Sequence, residues 1–266
     1  MPTTRKWALI LGASSGFGEA IGLALARAGR NVFGVHLDRK STMPNVERIQ
    51  AAMTGAGARS LFFNVNAADP EKRAEVLAEV KRVLVEEGQP DGLDFLLHSL
   101  AFGALKPFIA DQPADAVTRA QVDMTHDVMS HSLVYWVQDA LQAGLLGRGA
   151  HVMAMTSAGS HRHWSSYGAV SSAKASLESH CRQLAFELVP RGIAVNAVRA
   201  GVTDTPALRK IPGNEKMIEH ALSIHPAKRL TTPEDVAAVV VALARPETAW
   251  LTGNVLGVDG GEDIVG

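Results

Sequence analysis

Cysteine is nearly absent. Cys181 is the only one in 266 residues, which excludes an intrachain disulfide framework and any cysteine-rich zinc site and suits a reducing, cytoplasmic compartment. Long hydrophobic runs are missing as well: the longest, Val236 to Ala244, is nine residues, about half of the roughly 20 that span a bilayer. No membrane partner is expected. Charge of one sign is also lacking, since 26 Lys+Arg against 27 Asp+Glu leave a net −1. With those charges dispersed, no polybasic field exists to hold nucleic acid. Aromatics make up only 5%, and there are just two tyrosines.

What is present is globular. Hydrophobic residues reach 47% and charged residues 20%, with 24 glycines, outside disordered or collagen-like composition. At roughly 150 residues per domain the length admits two small domains, but α/β folds often carry about 250 residues as one. With no repeat, low-complexity tract or linker, a single domain over residues 1–266 is expected. The start, Arg5-Lys6 before Trp7-Ala8-Leu9-Ile10-Leu11, mimics a short signal peptide. Gly12, Ser14, Ser15, Gly16 and Gly18 follow without a convincing cleavage site, so a buried first strand is the better reading.

Short β-rich apolar runs alternate with stretches of helical period, as βαβ units and a parallel sheet require. Seven strands are predicted: Trp7–Leu11, Asn31–His36, Arg59–Val65, Leu93–His98, Ala150–Thr156, Ile193–Val198 and Asn254–Val258. The expected fold is therefore a Rossmann-type doubly wound parallel sheet of about seven strands with helices on both faces. Pro70–Glu87 reads as an amphipathic helix, and Thr232-Pro233-Glu234-Asp235 opens another with a cap candidate and proline at the first position. Thr203 to Thr231 is the least regular stretch, with Pro206, Pro212, Gly213 and Pro226 around a helical segment, Asn214–Ile224. It is either an active-site lid or a surface loop.

The first strand runs into Gly12-Ala-Ser-Ser-Gly16-Phe17-Gly18 and then a helical run. Small residues there let backbone N–H groups approach a pyrophosphate at a helix N-terminus. A Gly-rich turn that merely packs tightly is the alternative. At the end of the second strand stand His36-Leu37-Asp38-Arg39-Lys40, where an acid holds a ribose 2′-hydroxyl and a base accepts a 2′-phosphate. Asp38 lies 20 residues beyond Gly18, yet seven positions from Gly29 lands on His36. The missing acid at His36 and the nearby Arg39 favour NADP(H) modestly, with NAD(H) possible.

Tyr167 precedes Lys174 by seven residues on a helix predicted over Ser165–Val189. Seven steps of about 100° return almost to the same face, so both can meet one cleft. There an ammonium can lower the phenol's pKa, making it a proton donor or oxyanion stabiliser. Ser157 ends a strand 17 residues before Lys174.

Gly12-x-x-x-Gly16-x-Gly18, Asn64-Val65, Ser157, Tyr167 with Lys174, Asn196-Ala-Val-Arg-Ala-Gly201 and Val258-Asp259-Gly260-Gly261 together resemble a short-chain dehydrogenase/reductase over essentially the whole chain. The usual Y-x-x-x-K position is Val170 here. The Y-x6-K spacing instead resembles the bacterial enoyl-[acyl-carrier-protein] reductases. So do His98-Ser99-Leu100-Ala101-Phe102, His126-Asp127 with Ser130-His131-Ser132, and Ala173-Lys174-Ala175-Ser176-Leu177-Glu178. Asn196 to Leu208 looks closest to their NADPH-preferring minor branch. One departure is Ser157, where the main branch has a second tyrosine. That serine either binds a carbonyl, as in ketoreductases, or simply ends a strand.

The resemblance implies reduction of an enoyl thioester's 2,3 double bond in fatty acid synthesis. It assigns Tyr167, Lys174 and Ser157 to catalysis. Gly12, Ser14, Ser15, Gly16, Phe17, Gly18, His36, Arg39, Asn64, Val65, Ser99, Leu100, Val202, Thr203 and Thr205 fall to the cofactor, as does Lys174, which would position its ribose. Ala101, Phe102, Leu208, Met217 and Ile218 fall to the acyl chain. It also implies a homotetramer built on helices Met124–Leu146 and Ser165–Val189, and an acyl group borne either by acyl carrier protein or by coenzyme A. Arg209, Lys210, Lys216, Lys228 and Arg229 are the candidate basic rim for such a carrier. The competing activities are a carbonyl reductase acting on a ketone or 3-oxoacyl thioester, and a nucleotide-sensing protein without turnover. His161-Arg162-His163 lacks a third ligand, so no metal is expected. His98 and His126 read as hydrogen-bonded packing residues.

Overall fold

The computed structural model describes residues 5–89 and 92–265. Its strands are β1 (Trp7–Leu11), β2 (Asn31–His36), β3 (Ser60–Asn64), β4 (Leu93–His98), β5 (Leu146–Ser157), β6 (Ala194–Ala200) and β7 (Val255–Val258). They form one sheet in the order β3-β2-β1-β4-β5-β6-β7, and every pairing is parallel.

Alternation along the strands sends successive side chains to opposite faces. Trp7, Leu9 and Leu11 join one core with Phe33 and Val35. Ala8 and Ile10 join the other with Val32. The helices are α1 (Gly16–Arg27), α2 (Met43–Gly55), α3 (Pro70–Glu86), α4 (Arg119–His126), α5 (Ser132–Gln142), α6 (Gly168–Leu188), α7 (Asn214–Ile224) and α8 (Pro233–Leu243). The first core takes residues of α3, α5 and α6, and the second takes residues of α1, α2 and α8. Each fully buried large side chain adds about 1.5–3 kcal/mol, so both faces are needed to hold the sheet.

Local chemistry sets the helix limits. Asp69 accepts the N–H groups of Glu71 (2.9 Å) and Lys72 (3.1 Å) ahead of α3, a cap of about 1 kcal/mol. Thr232 and Asp235 form a reciprocal box at α8. Two sequence expectations need correction. The helix predicted over Met124–Leu146 starts earlier, because Thr118 and Gln121 cap α4. It passes through a π turn at Asp127–His131 and ends at Gln142, where Gly144 at φ +72° stops it. The helix predicted from Ser165 begins only at Gly168. Ser166 takes a left-handed φ of +59°, which no right-handed helix continues through.

Candidate active site

The strand order reverses direction between β1 and β4, and such a reversal opens a crevice at the strands' carboxyl ends. Gly12 lines it with φ +90°, and a Cβ there would collide with the Ser99 carbonyl oxygen. A Cβ on Gly18 would collide with the Gly12 carbonyl oxygen. Main chain therefore packs on main chain. No side chain caps α1, whose N-cap is Ser15, so the first helical amides are left for an anion. The Thr205 methyl sits 3.6 Å from where a Gly16 Cβ would stand, which brings Thr205 to the same loop. This cradle fits a pyrophosphate.

At the end of β2, His36 is buried with Nδ1 3.0 Å from Asp38 Oδ2. Asn64 clamps the turn, its amide group exchanging hydrogen bonds of 3.0 Å with the Asp38 N–H and carbonyl. Burial works against ionisation of Asp38. The Ser14 and Thr42 hydroxyls and the His36 ring nonetheless hold its carboxyl below the ordinary value. The acid thus faces the glycine loop through Ser14, whereas Arg39 is exposed. Val65 donates its N–H to the His36 carbonyl (2.8 Å). Phe17 packs half-buried on the α1 side of the sheet, and Leu100 packs on the opposite core.

The other half is built from buried polar side chains. Lys174 is buried on α6 and donates Nζ to the Met155 carbonyl at 2.7 Å. Burial brings its pKa down to about 8, against the pull of Cys181 and Glu178. Tyr167 stands just before α6. Burial pushes its phenol above the ordinary value, and the Ser157 hydroxyl pulls it partly back. The Lys174 charge is not among the groups acting on that phenol, so the lowered tyrosine pKa expected from the seven-residue spacing is not found. Ser157 Oγ is buried without a hydrogen-bond partner of normal geometry. A Cβ on Gly159 would fall 2.6 Å from the Tyr167 ring and 3.2 Å from Ser157 Oγ, which places both groups around one glycine. Two hydroxyls with capacity left over suit a carbonyl oxygen.

His98, fully buried at the end of β4, meets Ser132 Oγ at 2.8 Å. Burial first, and the Lys174 charge second, hold its pKa down to about 3, so it is a neutral packing group. His126 pairs with Ser172 at 2.9 Å.

The model of the family described as enoyl-(acyl carrier protein) reductase matches residues 12–262. The chain belongs to that family. Within this reductase family and the wider short-chain dehydrogenases/reductases, its relatives differ in substrate. It is 30% identical to a 1-cyclohexenylcarbonyl-CoA reductase of Streptomyces collinus, over 98% of this chain and 88% of that one. It is 32% identical to the enoyl-[acyl-carrier-protein] reductase [NADH] FabI of Escherichia coli, a match spanning 64% of each chain. The solved enoyl-[acyl-carrier-protein] reductase (NADH) of Aquifex aeolicus superposes with a TM-score of 0.82 at 25% identity, covering 98% of this chain and 97% of that one.

Around the reductase crevice the structure sorts the remaining candidates. Ser99 donates its N–H to Leu11 (2.9 Å), while Ala101 and Phe102 are exposed. Thr203 and Thr205 are buried. Val202 N–H is taken by the Glu262 carboxylate at 2.9 Å, so that amide is engaged by the protein itself. Leu208 is buried and Met217 and Ile218 are half-buried. Two of the five rim cations are neutralised: Arg209 pairs with Asp204 (2.8 Å) and Arg229 with Asp235 (2.6 Å). Lys228 donates to the Ser223 carbonyl (2.8 Å). Among the described residues no group of three or more potential ligands could hold a metal, and no helix is long and apolar enough to cross a membrane. Sequence reasoning passed over Glu262 and Asp263, whose carboxylates reach this site from the end of the chain. Nothing local marks them.

Proposed function

We propose that this reductase saturates the 2,3 double bond of an enoyl thioester with NAD(P)H. One observation carries the reading: the half-buried Tyr167 ring and the buried Ser157 hydroxyl stand around one glycine, Gly159, and desolvation holds the phenol above its ordinary pKa, so that it keeps its proton. When bound, NAD(P)H would supply a hydride to C3, placing enolate charge on the thioester oxygen, and C2 would then take a proton from solvent. Tyr167 donates a hydrogen bond to that oxygen, and Ser157 is placed to join it. Lys174 takes the ribose hydroxyls. The main chain of Gly12 and of Ser14 to Gly18, with Thr205, takes the pyrophosphate. Thr203 and the Val202 carbonyl take the carboxamide. Ala101, Phe102, Leu208, Met217 and Ile218 line the acyl end, and residues 203–231 act as the lid.

The inward Asp38 supports NADH rather than the NADPH that Arg39 suggested, since its charge would repel a 2′-phosphate. For assembly we retain a homotetramer built on α4, α5 and α6, where Tyr135 and Phe186 are exposed. The partner is an acyl thioester, and docking of an acidic carrier rests on Lys210 and Lys216. The pairing of Ser157 with Tyr167 favours one second reading, reduction of a ketone or 3-oxoacyl thioester. Oxidation of both cofactors with crotonyl and longer enoyl thioesters, beside 3-oxoacyl thioesters, separates the two. Turnover of ketones alone overturns the first reading.

A further inference from the structure

Two adjacent carboxylates near the end of the chain reach different walls of the site. Glu262 is buried and accepts Val202 N–H at 2.9 Å. Asp263 Oδ1 meets Arg162 Nε at 2.9 Å and His161 Nε2 at 3.0 Å, while its Oδ2 meets Arg199 Nη2 at 2.9 Å. Arg162 Nη2 also donates to the Asp263 carbonyl at 2.6 Å. The Asp263 side chain is only 11% exposed and Arg199 22%, whereas Arg162 and His161 reach in from the surface, so the carboxylate is the shielded centre of the fastening.

What Asp263 fastens is the segment leading into Tyr167. Arg162 N–H bonds back to Ala158 (2.8 Å), and Tyr167 N–H bonds to the Trp164 carbonyl (3.2 Å). Between them Ser166 sits at φ +59°, a region that strains an L residue and persists only where the surroundings over-determine it. Ser171 Oγ holds the Gly159 carbonyl from the helix side. The Asp263 cluster holds the loop from the opposite end of the chain.

We propose that Asp263 is a positioning residue, a strap that keeps residues 158–166 in the strained turn that aims the Tyr167 hydroxyl. It touches neither substrate nor cofactor and acts through Arg162 and His161. The inference rests on the reading of Tyr167 as the enolate's hydrogen-bond donor. Without the strap Ser166 relaxes and the phenol leaves its place beside Ser157, while the glycine cradle of the cofactor is untouched. Misplacement of a reacting group by about 1 Å can cost a hundredfold in rate.

The test uses the full chain, with Asp263→Asn, Asp263→Asn/Ser166→Gly and Tyr167→Phe assayed on NADH and crotonyl-CoA. For Asp263→Asn we expect kcat to fall about tenfold, with KM for NADH within about twofold. Adding Ser166→Gly, which makes the left-handed turn accessible without the clamp, should recover most of the loss. If Asp263→Asn folds poorly, Arg162→Ala reads the same split from the partially exposed side of the pair. A slow Tyr167→Phe beside a wild-type rate for Asp263→Asn overturns the strap alone. So does a loss at Asp263 that Ser166→Gly leaves unchanged. A wild-type rate for Tyr167→Phe overturns the reading of the tyrosine and with it the route through which Asp263 would act.

Discussion

Between Leu11 and Gly18 the crevice is made of main chain, whereas between Ser157 and Lys174 it is made of buried side chains with few partners. The first region works because side chains are missing: Gly12 and Gly18 leave no room for a Cβ, and α1 is left without a side-chain cap. The second works because polar groups are present where water is not. Burial raises the Tyr167 phenol and lowers the Lys174 ammonium, and the buried Ser157 hydroxyl makes no hydrogen bond of normal geometry. Backbone geometry tolerates no addition, and orphaned polar groups tolerate no removal. The two halves should therefore separate cleanly in mutants.

The largest expected effect is on the backbone half. Gly18→Ala forces the Gly12 carbonyl away and should weaken NADH binding by about two orders of magnitude or more, read by cofactor titration, with a fall in Tm. Gly55→Ala is the control, since its Cβ would meet nothing within 4 Å; it should be neutral or stabilising by less than about 1 kcal/mol. Equal loss at both positions would break the comparison. Tyr167→Phe comes next, with kcat down about 10²–10³ and the NADH dissociation constant unchanged. Weakened cofactor binding there would mean that the halves are not separate.

That contrast also explains what was legible in the sequence. The strands β1, β2 and β4 match their predicted limits, because apolar runs bounded by Gly, Asn or a polar turn carry their own signal. The glycine loop was legible for the same reason, since only glycine fits. Helix α2 went unread although Val46, Ile49 and Met53 are its buried residues and stand at helical spacing behind Pro44. The start of α6 was misplaced because helical periodicity does not register one left-handed serine. The bonds of Asp263 to Arg162 and Arg199, far apart in the chain, have no local pattern and only the fold assembles them. Which way Asp38 points was likewise set by Asn64 on the neighbouring strand.

The Lys174 pKa sharpens the comparison through pH. Because its value falls from 10.5 to about 8, the ammonium that we propose holds the ribose is lost above about pH 8. The pH profile of kcat/KM should therefore show an alkaline limb near 8. Stability moves the other way. Below pH 8 both folded and unfolded chains carry the charge. From 8 to 10.5 the unfolded chain holds more protons, so this residue's contribution to stability rises with pH. Lys174→Met should remove both dependences and most of the activity. A limb that persists in Lys174→Met belongs to another group.

A smaller effect is expected where a side chain enters the backbone half. Asp38→Ser removes the charge facing Ser14 and should move the ratio of kcat/KM for NADPH over NADH upward by about tenfold, roughly one lost repulsion of 1.4 kcal/mol. Arg39→Ala should change NADH kinetics little, since that side chain is exposed. Preference for NADPH in the unmodified enzyme would overturn the inward reading of Asp38.

The smallest effect concerns the outer rim of residues 203–231, where neither scarcity of space nor burial operates. Arg209 is tied to Asp204 and Arg229 to Asp235, so neither presents a free charge to an acidic carrier. Lys210 and Lys216 are exposed, and steering by two exposed cations is modest and screened by salt. Reversing both to Glu should raise KM for carrier-borne enoyl substrate about threefold at low ionic strength, with coenzyme A thioesters changed less. Raising the salt should erase the difference. Arg209→Ala, which frees Asp204 and adds a negative charge to the same rim, should act in the same direction but more weakly. If Arg209→Ala has the larger effect, the ion pair opens when the carrier docks, and the rim is a switchable surface in place of a fixed one.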